Sequence, residues 1–207
     1  MKKIILLTAA SCVLLAACSS TKVVDLDDKS EVAGMSDVME LEYRDWGRTA
    51  DKMVDSMLKS GSFAKIDKPV IAMGPMINDT MQRFDTDILV KKIRSQLVNS
   101  GHAQVATSFR NDKKAEDEST HNMRNQRDNA EYAASTVASK GTLVAPNMSL
   151  SGKMLQRNLK IDNGWFSNKD NRVEYYLQLT LTDLKTGLSV WEDERPIVKE
   201  GKRAPKW

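Results

Sequence analysis

The stretch from Val173 to Thr182 constrains the fold more than any other. Val173, Tyr175, Leu177, Leu179 and Leu181 alternate there with Glu174, Tyr176, Gln178, Thr180 and Thr182. A strict period of two places one apolar row and one polar row on opposite sides of a strand. The chain must therefore build a sheet with one covered face and one wetter face. Asp183-Leu184-Lys185-Thr186-Gly187 follows as a hairpin loop with glycine at its end, and residues 188–199 return as a strand carrying Trp191. Pro196 marks that strand as an edge, or as the place where pairing stops. Upstream, Met148 to Leu155 also alternates, which predicts a strand over 148–158.

Helices are needed to cover the apolar row. Trp46, Ala50, Met53, Val54, Met57 and Leu58 recur at helical spacing, predicting a helix over 45–60 with Asp45 as N-cap and Gly61 past its end. Phe84, Ile88, Leu89, Ile93 and Leu97 predict a second over 84–100, stopped by Gly101. Between them Pro69 opens the apolar run 70–77, a buried strand with Gly74-Pro75 as a kink or bulge, followed by a turn at 78–80. Residues 103–106 are a short strand. Residues 110–129 are almost wholly polar, a solvated segment. Ala130, Ala133, Ala134, Val137 and Ala138 predict a third helix before Lys140-Gly141. The order α-β-α-β-α-β-β-β implies an α+β (α/β) domain: a mostly antiparallel sheet of four to five strands with helices packed on it. Trp191 and Trp46 are expected in its core.

The N-terminus is of another kind. Lys2 and Lys3 precede an apolar run from Ile4 to Leu14, then Leu15-Ala16-Ala17-Cys18. A basic start, a run too short to span comfortably and a small-residue site describe a secretory signal over 1–17. A cysteine directly after Leu-Ala-Ala resembles the lipobox of bacterial lipoproteins, which implies a diacylglyceryl thioether on Cys18 and a further acyl chain on its freed amine. Several chains make a stable anchor where one is marginal. By the same resemblance Ser19, in place of aspartate, points to the outer membrane.

Of the two cysteines Cys12 leaves with the signal and Cys18 is acylated, so the domain has no disulfide and relies on its apolar core. The precursor charge of +3 falls to +1 without Lys2 and Lys3. Residues 19–44 hold three basic and seven acidic residues, a charge of −4, and lack proline. Residues 18–44 thus form a lipidated, acidic, flexible tether ahead of a domain over 45–202 and a basic tail over 203–207. The remaining excess of about +5 is far below a nucleic-acid footprint, and export argues against that partner.

No catalytic or metal motif emerges. His102 and His121 lack metal spacing. No serine sits in a nucleophile elbow and no glycine-rich loop follows a strand. In Glu192-Asp193-Glu194 only the outer two could share a face of a strand, as a solvated edge. The chain reads as a binding protein, not an enzyme, with no cofactor.

Asp45-Trp46 with Met53 and Met57-Leu58, Asp85-Thr86, Ser100-Gly101, Leu150-Ser151-Gly152, and Leu177-Gln178-Leu179 through Thr186-Gly187 to Trp191 resemble the LpoB family over about 45–202. These are outer-membrane lipoprotein activators of bifunctional class A penicillin-binding proteins. The resemblance implies a domain like the N-terminal domain of TolB. It also implies a regulatory role, reaching through the peptidoglycan to a synthase and stimulating glycan polymerisation and crosslinking. The short, proline-free tether departs from the long, proline-rich one of the best-known members. The competing class is an outer-membrane lipoprotein subunit of a secretion or envelope assembly, as in curli-type proteins with a related domain. Those carry extra membrane-spanning segments, and this chain shows no alternating strand pairs of membrane length.

Candidate partner-binding residues lie between the strands at 148–158 and 173–182. Asn163-Gly164 is a turn signal, followed by Trp165 and Phe166. Successive side chains of an extended segment diverge, so one of these rings is expected to be exposed. Arg157, Lys160, Lys169 and Arg172 flank them, and aromatics beside cations fit a binding hot spot.

Overall fold

The structure, a computed structural model, describes residues 39–201 apart from 65, 67, 111–116 and 162–169. The expected signal over 1–17, Cys18 and the expected basic tail over 203–207 lie outside the described residues. Helix α1 spans Tyr43–Lys59 and buries Trp46, Ala50, Met53, Val54 and Met57, the expected stripe. It begins two residues earlier than the sequence suggested. Glu42 is its N-cap, and the Asp45 carboxylate accepts from the Glu42 backbone N–H at 3.0 Å. Strand β1 is Val70–Asp79. Helix α2 spans Thr86–Ser100, with Asp85 as N-cap accepting from the Asp87 N–H and left-handed Gly101 at its end. Leu89, Ile93 and Leu97 are its buried stripe, whereas Ile88 points to solvent.

Strand β2 is Gln104–Arg110 and a short helix α3 is Ser119–Arg124. The third helix expected over 130–138 is absent. Those residues form turns, and Val137 alone of the alanine-rich stripe is buried. A stripe of methyl groups buries too little apolar area to hold a helix against the sheet. Strands β3 (Met148–Ile161), β4 (Asp170–Asp183) and β5 (Ser189–Gly201) complete the chain.

The five strands form one sheet in the order β2-β1-β3-β4-β5. The long pairings β3–β4 and β4–β5 are antiparallel, as the hairpin signals required. The two pairings of β1, with β2 and with β3, are parallel, so the sheet is mixed. Both parallel neighbours are reached by crossover connections, the first through α2. The β1–β3 register shifts between Met73 and Met76, around Gly74-Pro75. Helices α1 and α2 pack side by side on one face, α1 over β4 and β5 and α2 over β1 and β2. Between helices and sheet lie Met148, Leu150, Met154, Tyr175, Leu177, Leu179 and Leu181, with Trp191 9% exposed under α1.

Met39 and Leu41, assigned to the tether by the sequence reading, are buried in this core. Gln82 donates to the Leu41 carbonyl at 2.9 Å and accepts from its N–H at 2.7 Å. The Tyr175 hydroxyl donates to the Met39 carbonyl at 3.2 Å. Lys199 Nζ donates to the Glu40 carbonyl at 2.8 Å and lies 2.5 Å from Asp45 Oδ2. The chain therefore joins the domain beside the C-terminal half of β5.

Candidate partner interface

Pairing with β1 ends where Asp79 meets Leu155, so the outer part of the β3–β4 hairpin has only β5 beside it. Register assigns its side chains to faces. Arg157 opposes Glu174, and Leu159 opposes Arg172, on the face that carries no helix. Val198 and Glu200 extend those rows onto β5. Lys160 opposes Asn171 and points to the other side. The predicted cations are thus divided. Arg157 and Arg172 come together, Lys160 is separated from them, and Trp165, Phe166 and Lys169 lie outside the described residues.

Glu174 is the hub of the cluster. Its side chain is 13% exposed, with Arg157 Nη1 3.9 Å away and Arg172 Nη1 4.0 Å away. It accepts a hydrogen bond from the Tyr176 hydroxyl at 2.6 Å, and that bond, with desolvation and the carboxylate charge, raises the Tyr176 pKa. Arg172 also donates through Nε to Glu200 at 2.6 Å. Two guanidinium groups face two carboxylates, so these four residues are neutral together. They form a pre-ordered polar patch in which Arg157, two-thirds exposed, offers the free donors. Glu174, Tyr176 and Glu200 were not singled out from sequence. The available signal was their place in the polar row directly across from the two arginines.

Further along the same face Lys153 pairs with Asp79 at 2.6 Å and Gln178 with Glu194 at 2.5 Å. Glu192 and Glu194 share this exposed face, and Asp193 lies on the other, bonded to Arg195 at 2.8 Å. His121 contacts the Ser108 carbonyl at 2.8 Å, joining α3 to β2, and His102 contacts the nearby Ser100 carbonyl at 2.9 Å. Among the described residues no group of three His, Cys, Asp or Glu could hold a metal ion, and no helix is long and apolar enough to cross a membrane.

Residues 45–197 match the family of the peptidoglycan-synthase activator LpoB. The chain belongs to the LpoB family. LpoB proteins are regulatory activators of peptidoglycan synthesis rather than catalysts. Among solved structures, the LpoB C-terminal domain from Escherichia coli is 14% identical, covering 74% of this chain and 98% of that one, with a TM-score of 0.44. The same domain from Salmonella enterica gives 15%, 74%, 98% and 0.44. An NMR structure of E. coli LpoB is 14% identical over 97% of this chain and 94% of that one, at a TM-score of 0.40. No curated protein matches the sequence. The LpoB match covers nearly all of α1, the whole of α2 and α3, β1 to β4 and most of β5, including Gly152. That glycine is needed because a Cβ there would lie 2.6 Å from the Gln178 carbonyl oxygen.

Proposed function

We propose that this chain is an outer-membrane lipoprotein whose periplasmic domain binds and activates a class A penicillin-binding protein. The family match over residues 45–197 carries the reading. Removal of residues 1–17 leaves Cys18 to take the acyl chains, and the acidic segment after it tethers the domain. The Leu15-Ala16-Ala17-Cys18 sequence supports that anchor.

An activator that lends no catalytic group accelerates its partner by binding the active conformer more tightly than the inactive one. What it needs is a selective surface. The outer end of the β3–β4 hairpin is assigned that role, with Trp165 and Phe166 as the buried anchors of the complex. Arg157 and Arg172 form its polar rim on the helix-free face, with Lys160 on the opposite face and Lys169 completing the set of cations. The pre-ordered pairing of Arg172 with Glu174 and Glu200 supports this assignment, because ordered side chains lose less entropy on binding.

The test is capture from solubilised envelopes with the acylated chain as bait. A class A synthase is expected among the captured proteins, and Cys18→Ser should prevent both acylation and carbonate-resistant membrane association. Capture of a secretion complex without a synthase would refute the reading.

A further inference from the structure

Just ahead of α1 the chain crosses the helix-covered face of the hairpin's outer end, and two strands hold it there. From β4 the Tyr175 hydroxyl donates to the Met39 carbonyl. From β5 Lys199 Nζ donates to the Glu40 carbonyl, and a Cβ on Gly201 would lie 3.1 Å from Met39 Sδ. Register places these contacts together, because Lys199 opposes Val173 and Gly201 opposes Asn171. Val173 is 1% exposed, and Met39 and Leu41 are buried with it in the one apolar core.

The turn between β1 and α2 extends the grip to β3. Gln82 bonds both the N–H and the carbonyl of Leu41. The Gln82 carbonyl accepts from Asn78 Nδ2 at 2.9 Å and from Thr80 Oγ1 at 3.0 Å, which fixes the turn. Beside it the Met81 N–H donates to Gln156 Oε1 at 2.9 Å, and Met81 Sδ accepts from Asn158 Nδ2 at 3.3 Å. Gln156 opposes Tyr175, and Asn158 opposes Val173. The hold of Met81 on β3 and the hold of residues 39–41 on β4 and β5 therefore fall on the same rows of the sheet. Arg157 and Glu174 form the row between them, on the opposite face.

We propose that residues 39–42 are a strap whose docking orders the outer end of the hairpin, so that the point where the tether enters the domain controls the partner surface. Strap docked and strap released are two states of one chain. Release uncovers Met39, Leu41 and Val173 and takes bonds from Gln82, Tyr175 and Lys199. It also frees the turn that braces β3 beyond Leu155, where pairing with β1 has ended. A partner that binds the ordered hairpin binds the docked state more tightly, and by linkage it holds the strap in place. The input is the segment ahead of the strap, since a pull along residues 19–38 reaches Met39 before any other described residue. The consequence for the partner rests on the proposed function; the effect on the hairpin does not.

The experiment follows amide hydrogen exchange in the mature chain with Cys18→Ser, alone and with a purified class A penicillin-binding protein. Gln82→Ala removes both bonds to Leu41 from a partly exposed position. Met39→Ala/Leu41→Ala removes the apolar hold of the strap. In each variant the amides of 156–160 and 171–175 should exchange about fivefold faster or more, while those of 149–151 and 179–182 keep the parent rates. Affinity for the synthase should fall by a similar factor in Gln82→Ala, and the synthase should slow exchange at 39–42 of the parent chain. Parent rates across the hairpin in both variants would overturn the proposal. So would acceleration spread evenly over the sheet, which is general loss of stability, or an unchanged affinity in a variant whose hairpin exchanges faster. Failure of the parent chain to bind the synthase would overturn the proposed function instead, and exchange in the free chain would still decide whether the strap orders the hairpin.

Discussion

Replacing Gly152 by alanine sets two effects against each other. In open space the change would stabilise by about 0.4–1 kcal/mol, because alanine restricts the unfolded chain. Here the new Cβ would lie 2.6 Å from the Gln178 carbonyl oxygen, 2.7 Å from Leu179 Cδ2 and 2.8 Å from Met76 Sδ. Met76 can swing aside, but Gln178 is backbone of β4, which is paired with β3 on one side and β5 on the other. Relief requires displacing a central strand. Overpacking of this kind costs about 1–3 kcal/mol, and a backbone clash belongs at the upper end. The net expectation is a loss of about 1–2.5 kcal/mol. At about 2–4 °C per kcal/mol for a domain of this size, Tm should fall by roughly 2–10 °C. Circular dichroism melts of the unacylated mature chain measure it. Gly201→Ala is the control, since its Cβ would meet only the flexible end of Met39, with Sδ at 3.1 Å. A Gly152→Ala protein melting at or above the parent, or both variants shifting equally, would refute the packing argument.

Trp191→Ala removes a core aromatic beneath α1 and should cost about 3–5 kcal/mol, visible as a Tm drop of roughly 6–20 °C or as failure to fold. An unchanged melt would place Trp191 on the surface. Burial, with Glu40 and Asp45 nearby, pushes the Tyr175 phenol up to about 12 from 10.0. The folded state then holds this proton more tightly than the unfolded state. Its contribution is complete below about pH 10 and is lost as pH rises from there to about 12. Tyr175→Phe should therefore flatten the fall of Tm between about pH 9.5 and 11.5, and an unaltered profile would contradict the assignment. Trp165→Ala with Phe166→Ala should weaken synthase binding about 30-fold or more, the hot-spot scale of ~2 kcal/mol, at an unchanged melt. Unaltered affinity would move the interface elsewhere.

Local patterns told most about the parts that fold by local rules. The period-two row Val173–Leu181 and the stripe Trp46–Met57 were legible because burial on one face leaves a regular trace in sequence. The parallel pairing of β1 with β3 leaves none, since 77 positions separate Ile71 from its partner Met148. The alanine stripe at 130–138 misled because it has helical spacing without enough apolar volume. The short helix that does form, α3, is polar and is held through His121 to the Ser108 carbonyl, a tertiary contact. Met39 and Leu41 were hidden by acidic neighbours. Their burial depends on Gln82, Tyr175 and Lys199, which arrive from distant segments. In the candidate interface the arginines were legible as cations, but not that Glu174 gathers Arg157 and Arg172 while register turns Lys160 away.

The central claim is activation, and the most direct measurement is the rate of glycan polymerisation by a purified class A penicillin-binding protein from the same cell. It would be followed on lipid-linked disaccharide substrate with and without the unacylated mature chain. A saturable, severalfold rise in rate that Trp165→Ala/Phe166→Ala diminishes and Cys18→Ser leaves intact is the predicted result. A rate that does not change at any concentration of folded protein, with no complex detected between the two, would contradict the account.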